Sequence, residues 1–215
     1  MQLGKFAKLV KQSGFCALRT IGEDGIDGVY LATQSAVFRD DRFPPVKSGE
    51  AMAAVLDMQE KDWRKVSFSA ADCEGPWSVM GLDLRDSIHG EKTTKKLEMA
   101  AVWKGQMVTA LVCQDEELVF LDESLLSPVR KELADSHYVE YRVRKTESGG
   151  RYVVVLNGFE LVAAVMSVEV IDLNYLSRLQ EYQTLCIQQY EREKVRKELA
   201  KVQTAPQEVE ADAEL

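Results

Sequence analysis

The chain has 215 residues, of which 46% are hydrophobic and 29% are charged, and its formal net charge is −8 at pH 7. This length and this composition are typical of a folded protein with a sizeable core, and they exclude global disorder. The negative charge argues against a protein that coats nucleic acid over its whole surface, because phosphate binding needs a positive field.

The sequence lacks the marks of a membrane, secreted or metal-binding protein. No apolar run reaches the roughly 18 to 20 residues that cross a bilayer, and residues 1–12 intersperse lysines among apolar residues, unlike a signal peptide. Cys16, Cys73, Cys113 and Cys186 are far apart, with no CxxC pair, so neither a zinc site nor a disulfide framework is indicated. We expect a cytoplasmic protein without a cofactor.

The first half of the chain predicts alternating helices and strands. Residues 2–12 have apolar residues at helical spacing with lysines on the other side, and strands follow at 15–21 and 29–39, joined by a glycine-rich turn. Ser48 can cap a helix that ends near Gln59, since its hydroxyl can accept an orphan backbone N–H. Three further strands are predicted at residues 66–70, 77–84 and 97–103.

The second half predicts a meander, a helix and a second meander. Strands at 107–113 and 118–121 follow the strand at 97–103, and Asp122 or Ser124 can cap a helix that ends by residue 135. Three more strands are predicted at residues 137–144, 151–156 and 159–171. Between the last two lies Asn157-Gly158, the strongest short hairpin signal, because both residues tolerate the positive φ of a type I′ turn.

A helix followed by three strands therefore occurs twice in this interpretation, beginning near residues 49 and 124. We predict an α+β fold whose antiparallel sheets are built from two such helix-plus-three-strand units. The units would occupy about 1–104 and 105–171 of one compact domain, residues 1–171.

The C-terminal residues predict a long amphipathic helix over 172–203, followed by a disordered acidic tail over 204–215. The first half of this helix carries an apolar stripe, and its second half is dense in charges of both signs. We expect the stripe to bind a protein partner or a second copy of the chain in a homo-oligomer. Its residues are Leu176, Leu179, Tyr182, Cys186 and Tyr190.

Basic residues near the first helix and near strand ends suggest a local face for phosphates, although surface charges balanced by neighbouring acids are the more common alternative. The candidate phosphate-facing residues are Lys5, Lys8, Lys11, Arg142 and Arg144.

The catalytic inventory is small. His89 and His137 are the only histidines, and Asp86, Ser87 and His89 are too close in sequence to form a catalytic triad without unusual backbone geometry. The acidic run 115–117 lacks the ligand spacing of a calcium loop. These patterns favour a protein that is not an enzyme.

The segment over residues 122–166, a helix, two strands, a tight turn and a long final strand, resembles a half-domain of the DNA sliding clamps. These processivity factors have domains that contain two such units. The similarity covers about residues 1–171 in element order only, and no clamp motif is matched residue by residue, so no functional residue carries over. Known clamps close rings from six such domains, and a ring of this chain would require oligomerisation.

The resemblance and the small catalytic inventory together favour a bacterial or phage-like interaction protein, a clamp-like accessory factor in DNA replication or metabolism that binds DNA weakly. One alternative is an acidic inhibitor that occupies another protein's nucleic-acid site. A second alternative is a hydrolase built on His89 or His137.

Overall fold

The computed structural model describes residues 1–22, 28–44, 46–103, 105–170 and 173–203, without the side chains of Met99, 173–180 and 200–203. Most of the predicted turn at 22–28 and the whole predicted tail at 204–215 lie outside the described residues. The chain divides into two compact units, Met1–Glu169 and Val170–Leu215.

The first unit is built around ten strands in the order β4-β1-β2-β3-β10-β9-β8-β5-β6-β7. Strand β4 runs parallel to β1, and the other described pairs are antiparallel. The strands are β1 (Phe15–Ile21), β2 (Gly28–Ala32), β3 (Ala36–Arg39), β4 (Ser67–Cys73), β5 (Lys92–Trp103), β6 (Gln106–Cys113), β7 (Leu118–Asp122), β8 (Val139–Lys145), β9 (Arg151–Asn157) and β10 (Glu160–Met166).

Among the residues that the structure describes, four short helices belong to the first unit and one long helix belongs to the second. They are α1 (Leu3–Ser13), α2 (Gly49–Val55), α3 (Glu60–Trp63), α4 (Arg130–Ala134) and α5 (Leu173–Gln203). Two single-turn 3-10 helices lie at Pro76–Ser78 and Glu123–Leu126. The structure is thus a mixed α+β fold with a long C-terminal helix.

The two faces of the sheet carry separate cores, because successive strand residues point to opposite sides. On one face, Cys16 and Leu18 of β1 pack with side chains from α1, α2 and residues 125–133. On the other face, Ala17 of β1 packs under the loop between β4 and β5, which contributes Val79, Leu82 and Leu84. This loop covers its side of the sheet without forming a helix.

Several predicted elements are confirmed, including α1, β1, the meander β5–β7 and the meander β8–β10. The Ser48 hydroxyl accepts a hydrogen bond from the Ala51 N–H at 3.2 Å, as a cap of α2. The last hairpin is shifted by one residue: Asn157 pairs with Glu160, and the turn residues are Gly158, at φ +67°, and Phe159.

The strand predicted at 29–39 is wrong in one respect, because it is two strands. The chain turns between β2 and β3, where the Thr33 hydroxyl accepts hydrogen bonds from the N–H groups of Ser35 and Ala36. Such a side-chain bond gives the backbone a local alternative to the strand ladder.

The strand predicted at 77–84 is also wrong. The left-handed residues Met80 (φ +55°) and Gly81 (φ +73°) turn the chain back, and only an isolated bridge joins Val79 to Leu82. The apolar residues of this segment pack in the second core instead of pairing in a strand.

The helix predicted over 124–135 is broken into the 3-10 turn Glu123–Leu126 and the short α4. Pro128 lies between them and lacks the N–H that a continuous helix needs. The capping role of Asp122 is confirmed, since its carboxylate accepts from the Ser124 N–H at 2.9 Å.

The duplicated unit does not begin at α2, as predicted, because residues 77–84 form no strand and β4 and β5 lie far apart in the strand order. Instead, α1 followed by β1–β3 has the same element order as α4 followed by β8–β10. The two groups of three strands are joined at their last strands, where Val37 of β3 pairs with Ala164 of β10 in antiparallel register. Both helices cover the same face of the sheet.

Candidate nucleic-acid interface and other candidate sites

The clearest charged surface lies on α1, whose sequence is strictly divided between an apolar and a basic side. Phe6, Ala7, Leu9 and Val10 are buried against the sheet, and the Phe6 ring meets the Phe38 ring of β3 edge-on, with centroids 5.8 Å apart. This packing fixes the rotation of the helix about its axis. As a result, its lysines point away from the sheet.

Lys5, Lys8 and Lys11 are all exposed, and α1 contains no acidic residue. Lys11 forms an ion pair with Asp62, with Nζ and Oδ2 2.9 Å apart, and this hydrogen bond holds the pKa of Asp62 below its ordinary value. Within the described part of the chain, Lys5 and Lys8 form no ion pair. The structure therefore brings the three predicted lysines together on one exposed helix side.

The α4 segment lies beside the beginning of α1. The Gln2 N–H donates to the Pro128 carbonyl at 2.8 Å, and Arg130 and Lys131 are exposed. We call Lys5, Lys8 and Lys11 the basic helical face. Arg130 and Lys131 are followed by Glu132, whose carboxylate pairs with the N-terminal ammonium of Met1, so this end of α1 has mixed charge.

The other two predicted phosphate-facing residues do not belong to this face, which corrects the expectation. Arg144 is only 2% exposed, and its guanidinium donates to the Glu91 carboxylate and to the carbonyls of Asp83 and Arg85. Arg142 donates to Glu91 and Glu140. The Arg142 and Arg144 side chains are only 17% and 0% exposed, unlike the Lys11 side chain, which is 42% exposed, so these two guanidiniums are not free to meet phosphates.

These contacts give Glu91 a structural role. Its carboxylate, whose side chain is 8% exposed, ties the loop before β5 to two arginines of β8. The Tyr152 hydroxyl adds a hydrogen bond to the Asp83 carbonyl at 3.1 Å. The hydrogen bond from Arg142 holds the pKa of Glu140 below its ordinary value. Sequence patterns do not reveal this network, since its bonded members are up to 69 residues apart.

Cys113, Asp115 and Glu117 place potential metal-ligand atoms within 4.8 Å of one another. However, the Lys92 ammonium donates to both carboxylates, and Arg151 pairs with Glu117. Burial also raises the pKa of the Cys113 thiol, which favours the protonated form that binds metals poorly. The group does not fit a metal ion and instead forms an ion-pair network between β5, β9 and the turn after β6.

The residues considered for catalysis are placed as follows. His89 and His137 are exposed, the first in the loop before β5 and the second just before β8. The Asp86 carboxylate accepts from the Leu161 N–H at 2.8 Å, and the Ser87 hydroxyl donates to Glu91. Asp86 and Ser87 thus have structural hydrogen bonds, and no contact joins either of them to a histidine among the described residues.

On α5, the predicted partner surface is described only in part. Tyr182 and Tyr190 are 72% and 70% exposed, and Cys186 is exposed as well. The side chains of Leu176 and Leu179 lie outside the description. The role of this stripe in binding a partner or a second copy stays a prediction.

Comparison with known proteins identifies no relative. The chain matches no protein-family model, and no match was found among curated proteins or among solved structures. Among the described residues, no helix combines the length and the apolar character that crossing a bilayer requires.

Proposed function

We propose that residues 1–169 form a non-enzymatic, clamp-like accessory module that contacts the phosphate backbone of DNA through the basic helical face. The observation that carries this proposal is the charge of α1, which presents three exposed lysines and no acid in a protein whose net charge is −8. A positive patch of this kind attracts phosphates locally even when the whole molecule is acidic.

The geometry of α1 suits backbone contact better than base recognition. Its lysines recur every third residue, so they follow one another along the helix at a rise of about 4.5 Å per step. Lysine ammoniums act as point charges that neutralise phosphates without reading sequence. The module would therefore bind duplexes of different sequence with similar, salt-sensitive affinity.

The repeated architecture supports the clamp-like part of the proposal. Two groups of helix and three antiparallel strands meet at β3 and β10, and both helices cover the same face. This is the element order that resembles a clamp domain, although the repeat begins at α1. Fold likeness alone does not establish a function. The experimental test is therefore the substitution of the α1 lysines.

The test is equilibrium binding of a fluorescently labelled DNA duplex, followed by anisotropy at low salt. We expect K5Q/K8Q/K11Q to weaken binding at least tenfold, because three phosphate contacts are lost. The matched control is K145Q/K194Q/K197Q, which removes three exposed lysines elsewhere and should bind like the unmodified protein. Equal weakening in both variants would show that the loss of positive charge alone causes the effect, and it would contradict the proposal.

The same assay separates the alternative of an acidic inhibitor. Such a protein would show no affinity for DNA at any salt concentration and would instead compete with DNA for its target protein. The carboxylates described above are mostly paired with arginines or lysines, so no specific observation favours this alternative.

A further inference from the structure

Residues 185–199 of α5 carry an apolar stripe that is distinct from the predicted partner surface. Leu185, Val195 and Leu199 are 61%, 55% and 59% exposed. At 100° per residue, these positions lie on the side of the helix opposite Cys186 and Tyr190. An open groove runs along this side and is lined by Gln188, Glu191, Arg192, Val195, Arg196 and Leu199.

The stripe follows a seven-residue repeat. Leu185, Arg192 and Leu199 are spaced by seven residues, and so are Gln188, Val195 and Val202, each three residues after the first series. These are the a and d positions of a coiled coil, whose side chains meet the facing helix. The groove on α5 is thus lined only by residues at a, d, e and g positions.

We infer that this face of α5 pairs with the same face of a second copy of the chain, as a parallel, in-register, two-stranded coiled coil. The inference does not depend on the proposed contact with DNA, because it concerns only the second unit. A second copy of the chain is the expected partner, because oppositely charged residues of the repeat would face each other across the interface.

In a parallel pair, each g residue faces the e residue five positions later on the other helix. Glu191 is at g and Arg196 is at e, so two Glu191–Arg196 pairs would form, one on each side of the interface. Within the described part of the chain, neither side chain forms an ion pair. The neighbouring g and e positions pair Thr184 with Gln189 and Glu198 with Gln203, which brings no like charges together.

The polar core positions favour two strands in one register. Arg192 at a and Gln188 at d would be fully enclosed in a bundle of three or four helices. At the margin of a two-stranded coil, the guanidinium can reach water while its stem packs on Val195 and Leu199. These two adjacent polar layers oppose shifted registers, since a shift would bury the Arg192 charge against apolar residues.

The first test is sedimentation equilibrium of the full chain and three variants. The unmodified protein should reach twice the chain mass of 24.2 kDa. R196E places Glu191 opposite a carboxylate and should weaken association about tenfold, whereas the double variant E191R/R196E restores opposite charges and should recover it. K197E, with the same charge change at the outward f position, is the matched control.

A monomer at all concentrations, a four-chain mass, or equal weakening by R196E and K197E would overturn the inference. Failure of E191R/R196E to recover association would also overturn it, provided that circular dichroism shows unchanged helix content.

The second test addresses orientation. In a parallel, in-register pair, the two copies of position 185 face each other, whereas in an antiparallel pair they would be far apart. The variant L185C/C186S should therefore form a covalent dimer under mild oxidation, and C186S alone should not. Absence of the covalent dimer from L185C/C186S would contradict the parallel arrangement.

Discussion

Arg142 and Arg144 show how much the role of one residue depends on contacts that are distant in sequence. On an isolated strand, alternating arginines are typical of an exposed basic edge. In the structure, Arg144 is buried because Glu91 and the carbonyls of the loop before β5 satisfy its donors. Nothing local in the sequence indicates that this loop folds over β8, so the burial could not be predicted.

The Glu91 contacts lead to a stability prediction. Replacement by alanine in E91A leaves the buried Arg144 cation without its carboxylate, which should lower the free energy of unfolding by about 2 to 4 kcal/mol. Urea denaturation measures the change. As a control, E60A removes an exposed ion pair with Arg64 and should leave the midpoint almost unchanged. An unchanged midpoint in E91A would show that the network contributes nothing.

The four cysteines should differ sharply in reactivity. Burial raises the pKa of Cys16 to about 12, and burial also raises the pKa values of Cys73 and Cys113. Cys186 is exposed. Because the thiolate is the reactive species, a thiol reagent at pH 8 should modify one cysteine rapidly in the folded protein. The rapid phase should disappear in C186S, and its persistence there would place a different thiol at the surface.

Among the helices and strands, hydrophobic periodicity correctly predicted those whose pattern lies within a few consecutive residues. The apolar spacing of α1 and the alternation of β8–β10 are each contained within a few residues, and both elements are confirmed. Residues 77–84 misled the prediction because their apolar side chains also recur, although they fill the second core from a loop. Which segment covers a sheet face is decided by tertiary packing, which periodicity does not contain.

The basic helical face illustrates the same division. Lys5, Lys8 and Lys11 could be found from sequence because one amphipathic helix holds them all. The position of α4 beside α1 could not be predicted, because it depends on the packing of both segments on the shared sheet and on the Gln2–Pro128 hydrogen bond. The correct repeat, beginning at α1, likewise became visible only from the strand order.

Two glycines should respond oppositely to alanine. Gly158 in the β9–β10 turn has φ +67°, where a Cβ is strained, so G158A should lower the free energy of unfolding by about 1 kcal/mol. Gly4 lies in α1, and a Cβ there would meet no atom within 4 Å. G4A should therefore raise the free energy by a few tenths up to about 1 kcal/mol. Thermal unfolding of both variants checks the signs, and a stabilising G158A would refute the turn geometry.

At the scale of the whole molecule, the distribution of charge matters more than its sum. Residues 204–215 contain four acidic residues and no lysine or arginine, so they carry half of the net charge of −8. The remaining charge is spread over residues 1–203, within which α1 bears only cations. Net charge alone would argue against a nucleic-acid partner, whereas the arrangement of charges on the helices favours one.

The two units have separate roles in this account. Residues 1–169 supply the basic helical face, and α5 supplies the coiled-coil face that brings two copies together. Two linked copies would offer two basic faces to one duplex, so pairing through α5 should raise the apparent affinity for long DNA without adding a contact. R196E should then weaken binding to long duplexes while leaving binding to a short duplex nearly unchanged.

The dependence of DNA affinity on salt concentration tests the contact between the α1 lysines and phosphates. If Lys5, Lys8 and Lys11 each contact a phosphate, the slope of log K against log salt should be smaller in magnitude by about 2 to 3 in K5Q/K8Q/K11Q than in the unmodified protein. The control K145Q/K194Q/K197Q should keep the original slope. Equal slopes for the unmodified protein and K5Q/K8Q/K11Q, or no binding by the unmodified protein at low salt, would show that these lysines do not contact DNA.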